Sequence, residues 1–224
     1  MFPYFCSMKA SSQEDRYQHH DYYQVDDLLS EEHKLARLVV RDWVKKEVSP
    51  IIESYADQSK CPVHLFKGLA EIGAFGPSLP VEYGGGGMDE ISYGIIMQEL
   101  ERGDSGVRSM ASVQGSLVMY PIFKYASEEQ KRKYLPKLGS GELIGCFGLT
   151  EPNHGSDPSG MLTRIRDAGD HYILNGAKMW ITNSPIADLA VVWAKDENNI
   201  VRGMIVERDS KGYSAPEIHG KWSL

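Results

Sequence analysis

Cys146-Phe147-Gly148-Leu149-Thr150-Glu151-Pro152-Asn153-His154-Gly155-Ser156-Asp157 is the stretch on which the reading of this chain turns. A short strand over Cys146–Thr150 delivers Thr150 to its end, and Pro152 and Gly155 then force the chain to turn. Such a turn presents successive backbone N–H groups beside small hydroxyl side chains, which suits an anion or the polar edge of a flat heterocycle. The same residues also read as an ordinary surface loop capped by Ser156 or Asp157.

Working outward towards the C-terminus, short runs rich in β-branched and aromatic residues follow: Arg164–Asp167, His171–Leu174, Lys178–Asn183, Leu189–Lys195 and Gly203–Glu207. Turn-forming residues separate them, as in Ala168-Gly169-Asp170 and Asn175-Gly176. This spacing predicts a small antiparallel barrel or sandwich. Met179-Trp180-Ile181-Thr182-Asn183-Ser184 adds chemistry to it. As a strand it would send Trp180 and Thr182 to one face and Ile181 to the other, setting an aromatic plate beside a hydroxyl donor. The alternative is a half-buried strand Trp with a Thr neighbour, common in β-domains.

Towards the N-terminus the period changes to that of helices. Ser30 reads as an N-cap, with Glu31 and Glu32 in the first turn. Leu35, Val39 and Trp43, beside Ala36, Val40, Val44 and Val48, predict one buried face of a long helix that Pro50 kinks or ends. Pro62 opens a second helix with Phe66, Leu69, Ala70 and Ile72 inward. Helices over Asp89–Arg102 and Ser105–Tyr120 follow, and Ser127-Glu128-Glu129-Gln130 is a capping box for another that stops by Gly139. Gly84–Gly87 are not a phosphate loop, having neither the Gly-Lys-Ser/Thr sequel nor the Gly-x-Gly-x-x-Gly spacing, and read as a mobile surface loop. The expected class is α+β: a loose tail over 1–23, a helical domain over 24–141 and a β-domain over 142–224.

Composition closes several routes. A net charge of −7 argues against general nucleic-acid binding, which needs a basic face. The chain has no apolar run approaching the ~20 residues that span a bilayer. Cys6, Cys61 and Cys146 are odd in number and far apart, which fits free thiols, and the scattered histidines supply no zinc spacing. Met1–Tyr23 lacks the apolar core of a signal peptide and the basic bias of a transit peptide, so a cytoplasmic protein of bacterial type is expected, or one of the mitochondrial matrix if the source is eukaryotic, with Met8 an alternative start.

Gly148-Leu149-Thr150-Glu151-x-x-x-Gly155-Ser156-Asp157 followed by Trp180-Ile181-Thr182-Asn183 resembles the middle β-domain of acyl-CoA dehydrogenases. Tyr83-Gly84-Gly85 and Glu128-Glu129-Gln130-x-x-x-Tyr134-Leu135-Pro136 resemble that family's N-terminal domain, so the likeness runs from about Tyr23 to Leu224. One departure is His154, where the family usually has a small residue. The resemblance implies FAD as cofactor, held by Phe147, Leu149, Thr150, Gly155 and Ser156, with Trp180, Ile181 and Thr182 covering the ring and bonding its edge. It places Ser156 near the pantetheine arm of an acyl-CoA thioester as well. It also implies an electron-transferring flavoprotein as redox partner, no metal, and a homo-oligomer, a tetramer, in the full-length protein.

Glu99-Leu100-Glu101-Arg102-Gly103-Asp104-Ser105-Gly106-Val107-Arg108-Ser109-Met110-Ala111-Ser112 looks like the glutaryl-CoA dehydrogenase subgroup. There the arginine matching Arg108 faces the substrate's distal carboxylate, with the serines matching Ser109 and Ser112 close by. The physical logic stands beside the resemblance, because an unpaired buried carboxylate costs several kcal/mol and a guanidinium can grip it through two bonds. The alternative is that Arg108 pairs with Asp104 one turn back on a solvated face. The implied reaction is oxidation of the thioester at Cα–Cβ followed by decarboxylation to crotonyl-CoA. A short-chain dehydrogenase for monocarboxylic thioesters, an acyl-CoA oxidase and a non-catalytic flavin- or acyl-CoA-binding scaffold stay open. No glutamate here matches the family's catalytic base, which the resemblance puts beyond Leu224 on a C-terminal helical bundle. The 224-residue polypeptide alone is therefore expected to be inactive and prone to associate through exposed apolar surface.

Overall fold

The computed structural model describes residues 22–221. Most of the expected tail, with Met8 and Cys6, and the closing Trp222-Ser223-Leu224 lie outside the described residues. Ser30 starts α1 (Glu31–Trp43) as its sequence predicts: its Oγ accepts the His33 amide at 3.2 Å, and His33 Nδ1 accepts the Ser30 amide at 3.2 Å. This reciprocal bonding satisfies two groups that a helix start leaves unpaired. The ring's other nitrogen, Nε2, then carries the proton and donates to Asp89 at 2.8 Å. Asp89 in turn caps α4 (Glu90–Gly103) by accepting the Ser92 amide at 2.8 Å. One imidazole thus joins the N-termini of two helices.

The buried stripe of α1 is narrower than its apolar pattern. Val40, Val44 and Val48 are buried, whereas Leu35 is 61% exposed and Leu38 and Val39 also face outward. The expected burial of Leu35 and Val39 is therefore corrected. α4 covers a single side of α1, where Arg41 Nε and Nη2 each meet a Glu99 oxygen at 3.0 Å. A single π turn over Val44–Val48 carries the helix to Pro50, which ends it. A short α2 (Ile52–Asp57) follows, and α3 (Leu65–Glu71) buries Leu65, Phe66 and Leu69.

The glycine loop is bonded within itself. Gly84, Gly85, Gly86 and Gly87 donate their amides to the carbonyls of Val81, Pro80, Gly76 and Leu79, at 2.9 to 3.1 Å. Four amides bonded to carbonyls of the same Gly76–Gly87 loop satisfy its own backbone internally.

α5 (Ser105–Ser112) begins at Asp104, whose carboxylate accepts the Val107 amide at 2.8 Å. It passes through a π turn at Val113–Met119 into α6 (Tyr120–Tyr125), a turn beyond the predicted end at Tyr120. α7 (Glu128–Gly139) carries the predicted box, with Gln130 N–H on Ser127 Oγ at 3.2 Å and Ser127 N–H on Gln130 Oε1 at 3.0 Å.

The sheet comprises β1 (Gly145–Gly148), β2 (Arg164–Asp167), β3 (Tyr172–Asn175), β4 (Leu189–Lys195) and β5 (Val201–Glu207). It is mixed rather than wholly antiparallel. β1 runs parallel to β4 with Gly145 opposite Leu189, and β2 touches the same edge at Arg164 and Lys195, again parallel. β5 pairs antiparallel along the other edge of β4, and β3 pairs antiparallel with β2. The long excursion from Leu149 to Thr163 lets the chain re-enter along the β1 side, which a succession of hairpins would not allow.

β4 is the hub. Leu189 and Val191 join the helical core with Phe75, Met119, Leu135 and Leu138, while Ala190 and Val192 pack with Cys146 and Ala187 on the opposite face. That is the period-two alternation of a strand buried on both sides. Gln114, wholly buried on the π turn, fastens the two layers. Its Nε2 donates to the Leu138 carbonyl at 2.9 Å and the Leu143 carbonyl at 2.7 Å, and its Oε1 accepts the Gly145 amide at 2.8 Å. Among the described residues no helix is long and apolar enough to cross a membrane.

Candidate functional site

β1 stops at Gly148, so Leu149 and Thr150 emerge from the sheet rather than belonging to it. Glu151 and His154 then exchange backbone hydrogen bonds, at 3.3 and 3.2 Å, closing a tight turn over Pro152 and Asn153. Asp157 caps the following 3-10 turn, Pro158–Gly160. Its carboxylate lies below its ordinary range, chiefly because the Ser159 hydroxyl donates to it at 2.5 Å. Gly155 and Ser156 stay at the surface, and Phe147, Leu149 and Thr150 are half-buried.

The second motif meets the first directly. Met179 N–H donates to the Thr150 carbonyl at 2.8 Å, and Lys178 Nζ donates to the Leu149 carbonyl at 3.0 Å. The expected strand over Lys178–Asn183 does not form. Trp180 and Asn183 adopt left-handed backbone, with φ of 61° and 68°, and Thr182–Ile186 is a turn. Left-handed residues break the alternation of a strand, so Trp180 and Thr182 do not share a pleated face. Both are nevertheless exposed, the indole 60% so, while Ile181 tucks against the small cluster around Cys146. An aromatic plate held outward by a strained backbone is costly unless something covers it.

Asn183 ties this turn to the helices. Its side-chain amide donates to the carbonyls of Met110 and Gly145, each at 3.4 Å. The helix bearing Arg108, Ser109 and Ser112 therefore lies against the end of the Trp180 segment. Arg108 does not pair with Asp104, whose carboxylate is engaged as the α5 cap. Its Nε donates instead to Glu101 at 2.6 Å and its Nη1 to Ser112 Oγ at 3.3 Å, while Glu101 also accepts the Ser105 hydroxyl at 2.5 Å. Those donors, Ser105 first and Arg108 next, hold the Glu101 carboxyl below its usual range.

Glu151, Lys178, Asn183 and Glu101 also organise this region, although nothing in their local sequence marks them for it. Each stands inside or beside a quoted motif, yet their partnerships cross turns and helices that no local period reveals. An exposed indole, the hydroxyls of Thr150, Ser156 and Thr182 and the bare backbone of Gly155 are chemistry that suits a flat ring with a polar edge, and they stand on two segments joined at Thr150 and Met179. Gly155 is roomy enough that an added Cβ would meet nothing nearer than Thr150 Cγ2 at 3.9 Å. Among the described residues no cluster of three metal-ligating side chains occurs.

Comparison with known proteins agrees with this architecture. Residues 30–142 match the family model of the acyl-CoA dehydrogenase N-terminal domain, and residues 146–224 match that of the middle domain. The crystal structure of a glutaryl-CoA dehydrogenase from Mycobacterium smegmatis in complex with FADH2 superposes with a TM-score of 0.87 at 46% identity, over 90% of this chain and 52% of that one. The probable acyl-CoA dehydrogenase YngJ of Bacillus subtilis is 38% identical over 88% of this chain and 53% of its own length. The mitochondrial short-chain specific acyl-CoA dehydrogenase of Rattus norvegicus is 36% identical over 84% of this chain and 43% of its own. The chain thus spans about half the length of these curated relatives. With both domain models matched in order and the two motifs meeting at Thr150 and Met179, this chain belongs to the acyl-CoA dehydrogenase family.

Proposed function

We propose that the protein containing this chain is an FAD-dependent acyl-CoA dehydrogenase that acts on glutaryl-CoA, oxidising it at Cα–Cβ with decarboxylation to crotonyl-CoA. The observation that carries the proposal is the Met179–Thr150 hydrogen bond, which joins the two motifs backbone to backbone. Phe147, Leu149, Thr150, Gly155 and Ser156 would hold the flavin and its pyrophosphate, with Trp180, Ile181 and Thr182 at the ring. When bound there, FAD supplies the acceptor for the substrate hydride. Ser156 would also contact the pantetheine arm, and an electron-transferring flavoprotein would take the electrons onward.

Substrate choice rests on Arg108. Glu101 and Ser112 fix its guanidinium from two sides, so it is oriented before any ligand arrives. A distal carboxylate then gains charge-assisted bonds without first ordering a floppy side chain. The greater identity to the Mycobacterium glutaryl-CoA dehydrogenase than to the rat short-chain enzyme supports the same choice. The short-chain reading remains the competitor.

The test uses the full-length protein. FAD should copurify, and Arg108→Ala should lower kcat/KM for glutaryl-CoA by about 100-fold, the scale of losing a desolvated charge pair, while butyryl-CoA turnover changes little. Equal losses with both substrates would overturn the glutaryl assignment. A protein that binds no flavin would overturn the dehydrogenase reading.

A further inference from the structure

Glu151 and Lys178 are a buried ion pair at the junction of the two motifs. Glu151 is 5% exposed, and its carboxylate accepts the Leu162 amide at 2.6 Å, the Thr163 amide at 2.9 Å, the Thr163 hydroxyl, and Lys178 Nζ at 2.9 Å. The ammonium gives a second bond to the Leu149 carbonyl at 3.0 Å. Gly148 leaves room for the lysine stem: a Cβ there would stand 3.3 Å from Lys178 Cγ. The pair therefore joins three backbone segments, 149–151, 162–163 and the run leading into Trp180.

Packing alone would fill this space without fixing direction. A buried ion pair contributes little net stability over apolar side chains of the same volume, because desolvation offsets its attraction. What it does impose is geometry, since each bond works only at a set distance and angle. Here the bonds tie the backbone at Leu149 and Glu151 to Lys178, two residues before Trp180.

We propose that Glu151 and Lys178 are positioning residues for the flavin, holding the Thr150 edge and the Trp180 plate at the spacing the ring requires. This rests on the flavin reading given above. Neither side chain touches the cofactor; both act through the backbone they hold.

The experiment compares Lys178→Met and the doubly neutral Glu151→Gln/Lys178→Met with the unmodified full-length protein. For each, FAD affinity is titrated by quenching of flavin fluorescence, and visible circular dichroism is recorded at saturating FAD. Far-UV circular dichroism and thermal unfolding report the fold. The expected result is a Kd for FAD raised at least about tenfold in Lys178→Met, with an altered visible spectrum at saturation and an unchanged far-UV spectrum. The double variant, which leaves no lone buried charge, keeps the fold if Lys178→Met loses it, and shows the same weakened flavin binding. Unchanged flavin affinity and spectrum in the folded variants, even with a lower Tm, would overturn the proposal by making the pair merely structural. Absence of FAD binding by the unmodified protein would instead overturn the functional reading beneath it.

Discussion

The Thr150 carbonyl accepts the Met179 amide at 2.8 Å, and the next residue, Trp180, turns its indole to the surface on a left-handed backbone. A main-chain bond anchors the residue just before the ring, and Trp180 itself is 60% exposed. Stability and ligand binding are thereby uncoupled at Trp180, and a substitution can move them separately.

Trp180→Gly is the sharpest case. Left-handed backbone costs a residue with a Cβ about 1–2 kcal/mol, and glycine escapes that cost but loses about 0.5–1 kcal/mol of chain entropy. The two nearly cancel, so thermal unfolding of the flavin-free protein should shift by no more than about 1 kcal/mol either way. FAD affinity, titrated by fluorescence quenching, should fall on the order of tenfold or more as the ring loses its stacking partner.

Glu151 gives a pH signature. Burial pushes its carboxyl up, but the bonds from the Thr163 hydroxyl, the Leu162 amide, Lys178 and the Thr163 amide outweigh that and bring it to about 2, below an ordinary 4.5. The folded form is therefore the weaker proton binder, and the carboxylate's contribution is complete above pH 4.5 and lost as pH falls towards 2. Unfolding free energy measured by urea titration should decline through that window, and Glu151→Gln should flatten the decline. A variant with an unchanged acid slope would exclude Glu151 as a source of it.

Glu99 is the carboxylate between α1 and α4. Its side chain is 1% exposed, with Arg41 bonded through two nitrogens and Arg102 Nε at 3.8 Å. Glu99→Ala deprives both guanidinium groups of this partner and leaves a cavity at the helix crossing. The expected loss is about 3 kcal/mol in chemical denaturation, larger than for any exposed pair such as Lys46–Glu47.

Gly85→Ala tests the knitted loop. A Cβ at Gly85 would lie 2.1 Å from the Leu79 carbonyl oxygen, which is backbone and cannot swing aside. Destabilisation of about 1–3 kcal/mol is expected in thermal unfolding. Gly94→Ala is the control, since nothing lies within 4 Å of its added methyl.

Local chemistry was readable wherever the cause was local. Ser30 and Ser127 announce helix starts because a cap and its target sit three residues apart. The motif around Thr150 and Trp180 pointed to one site because the family resemblance joins segments that periodicity leaves separate. Leu35 and Val39 misled because an apolar stripe states what could be buried, and only the neighbouring elements decide what is. The antiparallel expectation failed for a like reason: strand composition does not encode partner direction, which here follows from the long loop after Thr150. Gln114 was illegible altogether, since its partners Leu138, Leu143 and Gly145 are brought to it by the tertiary fold.

The two-faced burial of β4 has a consequence for how this chain opens. Its amides are shielded by strands on both edges, and its side chains are shared between the helical core and the sheet's own cluster. Exposing them to solvent requires both layers to part, so deuterium uptake at Val191 and Val192 should be the slowest in the molecule and should track global unfolding. Severing the chain near Gly141 would accordingly yield two pieces that each lack half of a common interior, rather than two self-sufficient modules.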